Sequence, residues 1–212
     1  MRPYASLALS ALFALSLALP LHADAPASDG WERVDEDDGI TLWRREIPGQ
    51  AVPGFRGDVT IDASLETIVT AIEDTSKHTE WMHRCAESRI VKQLGDGDVL
   101  LYNRTDSPWP VSDRDVLLRS KRAPTADGKG VMMTFQNASD PSTPPVKGVV
   151  RMPKLVGFYK LITVAPGKTA ITYQVEAHVG GSLPTWMVKR VVKDMPYETL
   201  SRLRDRVTTK KK

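Results

Sequence analysis

Residues Gly180–Val207 read GGSLPTWMVKRVVKDMPYETLSRLRDRV. Val188, Val191, Val192, Met195, Leu203 and Val207 recur at steps of three and four, the spacing of one helix face. Gly180, Gly181 and Pro184 mark where strand-like sequence stops and the helix begins. Pro196 falls inside the pattern, where a missing backbone donor predicts a kink rather than an end. Lys189, Arg190, Lys193, Arg202, Arg204 and Arg206 take the polar side. The chain closes on one long amphipathic helix, and an upstream element has to cover its apolar face.

That element is a sheet. Just before the helix, Thr169–Val179 alternates Ile171, Tyr173, Val175, Ala177 and Val179 against Thr172, Gln174, Glu176 and His178. Further back, Gly148–Met152 and Phe158–Val164 read as strands either side of Pro153. Asn137–Pro145 is a loop, because three prolines forbid regular structure. Arg114–Lys121 and Gly130–Gln136 flank a turn at Thr125–Lys129, and Ser88–Leu94 and Asp98–Thr105 flank Gly95-Asp96-Gly97. Upstream of these, Leu65, Ile68, Val69 and Ile72 form a helical stripe capped by Asp62 or Ser64, with a second short helix over Ser76–Met82. Gly39–Glu46 and Phe55–Ile61 are strands; Ala25–Asp38 is a polar lead-in with a short helix at best, anchored by Trp31.

Consecutive hairpins make such a sheet antiparallel, and one-sided alternation gives it a single buried face. The fold class is therefore α+β: a curved antiparallel sheet wrapped around a long C-terminal helix. A hollow between helix and sheet suits an apolar ligand.

The 212 residues, 41% hydrophobic and 26% charged, suit one globular domain. Residues 1–23 read as a secretory signal: Arg2 supplies the positive start, Ala5–Leu19 the apolar run and Ala23 the small residue at the cleavage point. An uncleaved anchor is the alternative. Residues 24–38 are the lead-in, 39–207 the folded domain and 208–212 a basic tail. After cleavage 28 basic residues face 26 acidic ones, but Trp186–Lys212 carries nine against three. That basic end suits transient contact with an anionic membrane surface, and the acidic remainder speaks against nucleic acid. The reading is a periplasmic monomer. Cys85 is the only cysteine, so no disulfide forms within the chain.

Two segments resemble the START family of lipid-transfer domains: Ser107–Asp115 (SPWPVSDRD) followed by Val116-Leu117-Leu118, and Gly180–Val188. Glu80-Trp81 and Gly148-Val149-Val150-Arg151 fit the same family, in order and spacing, over about Gly39–Arg206. The resemblance implies the helix-grip fold, an internal tunnel for one lipid or other apolar small molecule, and no cofactor. It also implies that the Ser107–Ser112 loop lies over the tunnel beside the last helix. In sterol-binding members a buried carboxylate and arginine flank this loop. The matching places fall near Leu101 and Ser120, neither of them charged, which disfavours sterol and leaves phospholipid, fatty acid or another apolar metabolite.

The expected ligand-binding residues are Val188, Val191 and Met195 on the helix, Tyr102, Met133, Phe135 and Tyr173 on the sheet, Arg151, and Trp109. Flexible methionines suit a pocket for chains of variable shape. Trp109, held between Pro108 and Pro110, is either an apolar lid that touches membrane when open or a buried anchor of its loop. Arg114 and Asp115 read as charges that staple the loop, and Arg151 as either a carboxylate's partner or a head-group ligand.

No catalytic constellation emerges. Cys85 lies two residues from His83, but nothing evident orients the pair. His78 and His83 are five apart, which is not the spacing of a helical metal pair, so no metal is expected. The alternative to a carrier is an enzyme of the same superfamily, a cyclase or hydrolase-like protein, acting on an apolar substrate in that cavity.

Overall fold

A computed structural model describes residues 30–209. The expected leader, the first part of the lead-in and the last three lysines lie outside the described residues. β1 (Glu32–Asp37), β2 (Ile40–Arg45) and β3 (Gly54–Ile61) precede α1 (Leu65–Glu73), a single 3-10 turn and α2 (His78–Trp81). Then come β4 (Cys85–Gly95), β5 (Asp98–Thr105), β6 (Arg114–Pro124), β7 (Gly130–Asn137), β8 (Val150–Arg151), β9 (Lys154–Ala165) and β10 (Lys168–His178). α3 (Thr185–Thr208) closes the fold and runs through Pro196 without interruption.

The ten strands form one curved sheet in the order β1-β2-β3-β10-β9-β7-β6-β5-β4, antiparallel along the whole path. β8 departs from the expected pattern and pairs parallel to β6. β3 follows its alternation, with Phe55, Val59 and Ile61 buried. Ser64, rather than Asp62, caps α1 by accepting from the Thr67 amide at 3.2 Å.

β1 corrects the expected polar lead-in. Five of its six residues are exposed, so no alternation marks it. The signal lies in the turn. Asp38 and Gly39, at φ 47° and 71°, form the Asp-Gly connection that a two-residue hairpin requires.

α3 is held unevenly. Leu200 and Leu203 in its second half are fully buried, each contributing about 2 kcal/mol of apolar burial. Here the helix touches β3 so closely that a Cβ on Gly57 would lie 2.6 Å from Leu200 Cδ1. In the first half Met187 is buried, while Val191 and Met195 are half-buried. One end of the helix is packed down, and the other spans a hollow.

The sheet also has more than one buried face, against expectation. On the outside of β5 and β6, Leu100, Tyr102 and Leu117 form a second small core with Val91 and Ala138. The proline-rich loop lies over it, pinned by Ala138 N–H to Leu117 O at 2.8 Å and by Arg151 to the carbonyls of Thr143 and Pro144.

Candidate ligand-binding cavity

The hollow is a cavity of about 360 Å³ between the first half of α3 and the inner face of the sheet. Met187, Val191 and Met195, four residues apart, present one helical stripe to it. Opposite them stand Phe55, Phe135, Tyr159 and Tyr173. The rings of Tyr159 and Tyr173 stack with centroids 4.4 Å apart, and Phe55 meets Tyr173 edge-on at 5.9 Å. Phe135 reaches this wall because β9 has no side chain at Gly157, where a Cβ would lie 2.6 Å from the ring. Burial pushes the Tyr173 phenol up to about 12 and Tyr159 well above its ordinary value, so both stay neutral.

Ion pairs bound the cavity. Arg122 bridges Glu73 at the end of α1 and Asp96 in the β4–β5 turn, at 3.1 and 3.2 Å. Arg84 joins Asp106 at 2.6 Å, at the foot of the Ser107–Ser112 loop. Such solvent-exposed pairs contribute at most about 1 kcal/mol each. The loop is tied more firmly by Asp113, which accepts from the Ser107 amide at 3.0 Å and from Arg104 at 2.5 and 2.8 Å.

Met133, Phe135, Tyr173, Val191 and Met195 are thus brought together around one space. Four expected residues lie elsewhere. Met187 takes the lining place assigned to Val188, which is half-buried away from the cavity. Tyr102 and Arg151 meet on the outer side of the sheet at Asp115, whose side chain is fully buried. Arg151 holds it at 2.7 and 3.1 Å, and the Tyr102 hydroxyl donates to it at 3.1 Å. They are structural partners of a carboxylate, outside the cavity lining. Trp109 is 91% exposed at the tip of its loop, neither a buried anchor nor a cover over the cavity.

Polar residues outside the expected ligand-binding set face the cavity: Asn103, Thr105, Arg114, His78 and His83. Arg114 shares the parity of Val116 and Leu118, which face the cavity too, but the unbroken apolar run Val116-Leu117-Leu118 does not mark that parity as the inner one. His78 is buried and satisfied. Its Nε2–H donates to Ile72 O at 2.8 Å, which leaves Nδ1 to accept from Ser88 Oγ at 2.9 Å. Burial lowers its pKa, so the neutral ring is the form the fold stabilises.

Cys85 is held as a neutral thiol. Burial pushes its thiol up to about 11, and the sulfur sits 3.5 Å from Glu87 O and 4.0 Å from Asn103 Oδ1. Among the described residues no hydrogen bond joins it to His83.

A family model described as START domain matches residues 24–212. The chain belongs to the START domain family. Members of this family bind and transfer lipids. An uncharacterised protein of Pseudomonas aeruginosa is 37% identical over 177 residues, covering 84% of this chain and 86% of that protein. The STAR-related lipid transfer protein of Xanthomonas axonopodis (fragment 25–204) superposes with a TM-score of 0.76 at 30% identity, covering 85% of this chain and 100% of that one. The rat phosphatidylcholine transfer protein is 22% identical over 174 residues, with 80% of each chain covered. In this START domain Leu101 and Ser120, the two uncharged positions noted above, both line the cavity.

Proposed function

We propose that this protein carries a lipid or a similar apolar molecule in the cavity beneath α3, through an aqueous compartment, as a monomer without catalysis. The observation that carries the reading is the apolar wall, aromatic on the sheet and methionine-rich on the helix, around a space that no side chain fills. Each acyl methylene moved from water into such a wall contributes about 0.8 kcal/mol. The leader-like residues 1–23 favour the periplasm as that compartment. Among the described residues no helix is long and apolar enough to cross a membrane. Native mass spectrometry of the purified protein is expected to find a co-purifying lipid. A protein that carries none and takes up no fluorescent fatty acid or phospholipid would overturn the reading.

Loading requires the cavity to meet a membrane, and two exposed tryptophans favour one end for that contact. Trp109 tips the Ser107–Ser112 loop, and Trp186, 44% exposed, begins α3. Their neighbours Pro110 and Pro184 line one shared groove. Indole rings favour the headgroup layer, and Arg190, whose guanidinium lies 5.7 Å from the Trp186 ring centroid, adds attraction to anionic lipid that weakens with salt. Trp109→Ala is expected to slow transfer between anionic vesicles about tenfold. Its melting temperature should not move, because an exposed ring contributes little to the core. A variant that transfers lipid as fast as the parent would sink the docking role.

A further inference from the structure

The apolar lining is interrupted at one end. β5 and β6 pair so that Thr105 lies opposite Arg114 and Asn103 opposite Val116, which puts Asn103, Thr105 and Arg114 side by side on the inner face. Arg114 is 95% buried, being 5% exposed. Its Nη1 donates to Ser112 O at 2.5 Å and its Nη2 reaches Ser182 O only at 3.5 Å. Its buried Nε has no partner.

The other cations that line the cavity are accounted for. Arg84 is paired with Asp106, and Arg122 with Glu73 and Asp96. Arg114 has no carboxylate partner among the described residues. Asp113 attracts it but is itself engaged by Arg104 and the Ser107 amide, and a guanidinium held away from water without a hydrogen-bonded carboxylate is costly, a cost that falls when an anion arrives. The edge that keeps only the long contact to Ser182 O is the useful one. Nε and Nη2 are the atoms that Arg104 offers Asp113, Arg119 offers Asp98 and Arg151 offers Asp115 elsewhere in this chain. Asn103 adds a second free donor, since its amide reaches only the weakly accepting Met82 sulfur at 3.7 Å.

We infer that Arg114, with Asn103 and Thr105, is a head-group seat, and that the carried ligand is a single-chain amphiphile ending in a carboxylate or a phosphate. This rests on the cavity being the binding site. An anionic oxygen pair takes the Nε–Nη2 edge, and the chain runs away from it along Phe135, Tyr173 and Met195. A cavity of about 360 Å³ sits at the low end of the range for small-molecule sites, which favours one chain over two.

Calorimetry with dodecanoate, dodecyl phosphate, dodecanol and inorganic phosphate tests this at neutral pH. At least one of the two anionic amphiphiles is expected to bind about tenfold or more tightly than dodecanol, and the tighter of them names the head group. Arg114→Gln should remove that preference. Dodecanol binding as tightly as both anions would overturn the seat while leaving the cavity reading intact. Inorganic phosphate binding as tightly as dodecyl phosphate would mean an anion site unconnected with a chain. Failure of all four to bind would remove the seat and the cavity reading together. Should Arg114→Gln not fold, the comparison within the parent protein still decides.

Discussion

Val191→Trp is expected to abolish ligand uptake, lowering binding of a fluorescent fatty acid at least about tenfold while leaving a folded protein. Val191 stands between Met187 and Met195 on the stripe of α3 that faces the cavity. An indole there enters empty space of about 360 Å³ and takes the place of ligand rather than of core. The helix keeps its hold on the sheet because Pro196, Thr199, Leu200 and Leu203 are buried further along it. Overpacking costs about 1–3 kcal/mol where a core is already full, and less where a hollow receives the ring. Val188→Trp is the control. Val188 lies off the lining, so its variant should keep uptake. Unchanged uptake in a folded Val191→Trp protein would show that the ligand sits elsewhere.

Asp115→Ala should be the most destabilising change to a polar group in the domain, at about 3 kcal/mol. The Asp115 side chain is fully buried between Arg151 and Tyr102, and its removal leaves a guanidinium without its counter-charge and a buried hydroxyl without its acceptor. The cost stays at the lower end of the range because the Arg151 side chain keeps 25% of its surface in water. For a domain of this size the melting temperature should fall by about 6–12 °C. A double-mutant cycle with Arg151→Met isolates the pair. A coupling near zero, or fatty-acid binding lost out of proportion to stability, would return Arg151 to the ligand site and refute its structural role.

The amino-acid sequence specified the frame wherever one local rule sufficed. The three-and-four spacing of α3, the alternation of β3 and β10, the Ser64 cap and the glycine turn between β4 and β5 are properties of short segments, and each folded as its own residues dictate. β1 was legible only through Asp38-Gly39, because an edge strand with both sides toward water carries no alternation.

Facing was a different matter. Leu100-Leu101-Tyr102 and Val116-Leu117-Leu118 are unbroken apolar runs, since the proline-rich loop buries the outer face of β5 and β6 while the cavity lies on the inner one. With both faces apolar, no pattern says which parity points inward. Tyr102 therefore looked like a lining residue, and Arg114 looked like a staple. Only the placement of that loop on one side and of α3 on the other separates Asp115, matched to Arg151 and Tyr102, from its neighbour Arg114. The empty space itself is likewise a tertiary quantity. It exists because Gly57 lets one half of α3 settle onto β3 while the other half stands off the sheet, a distance that no local stretch of residues encodes.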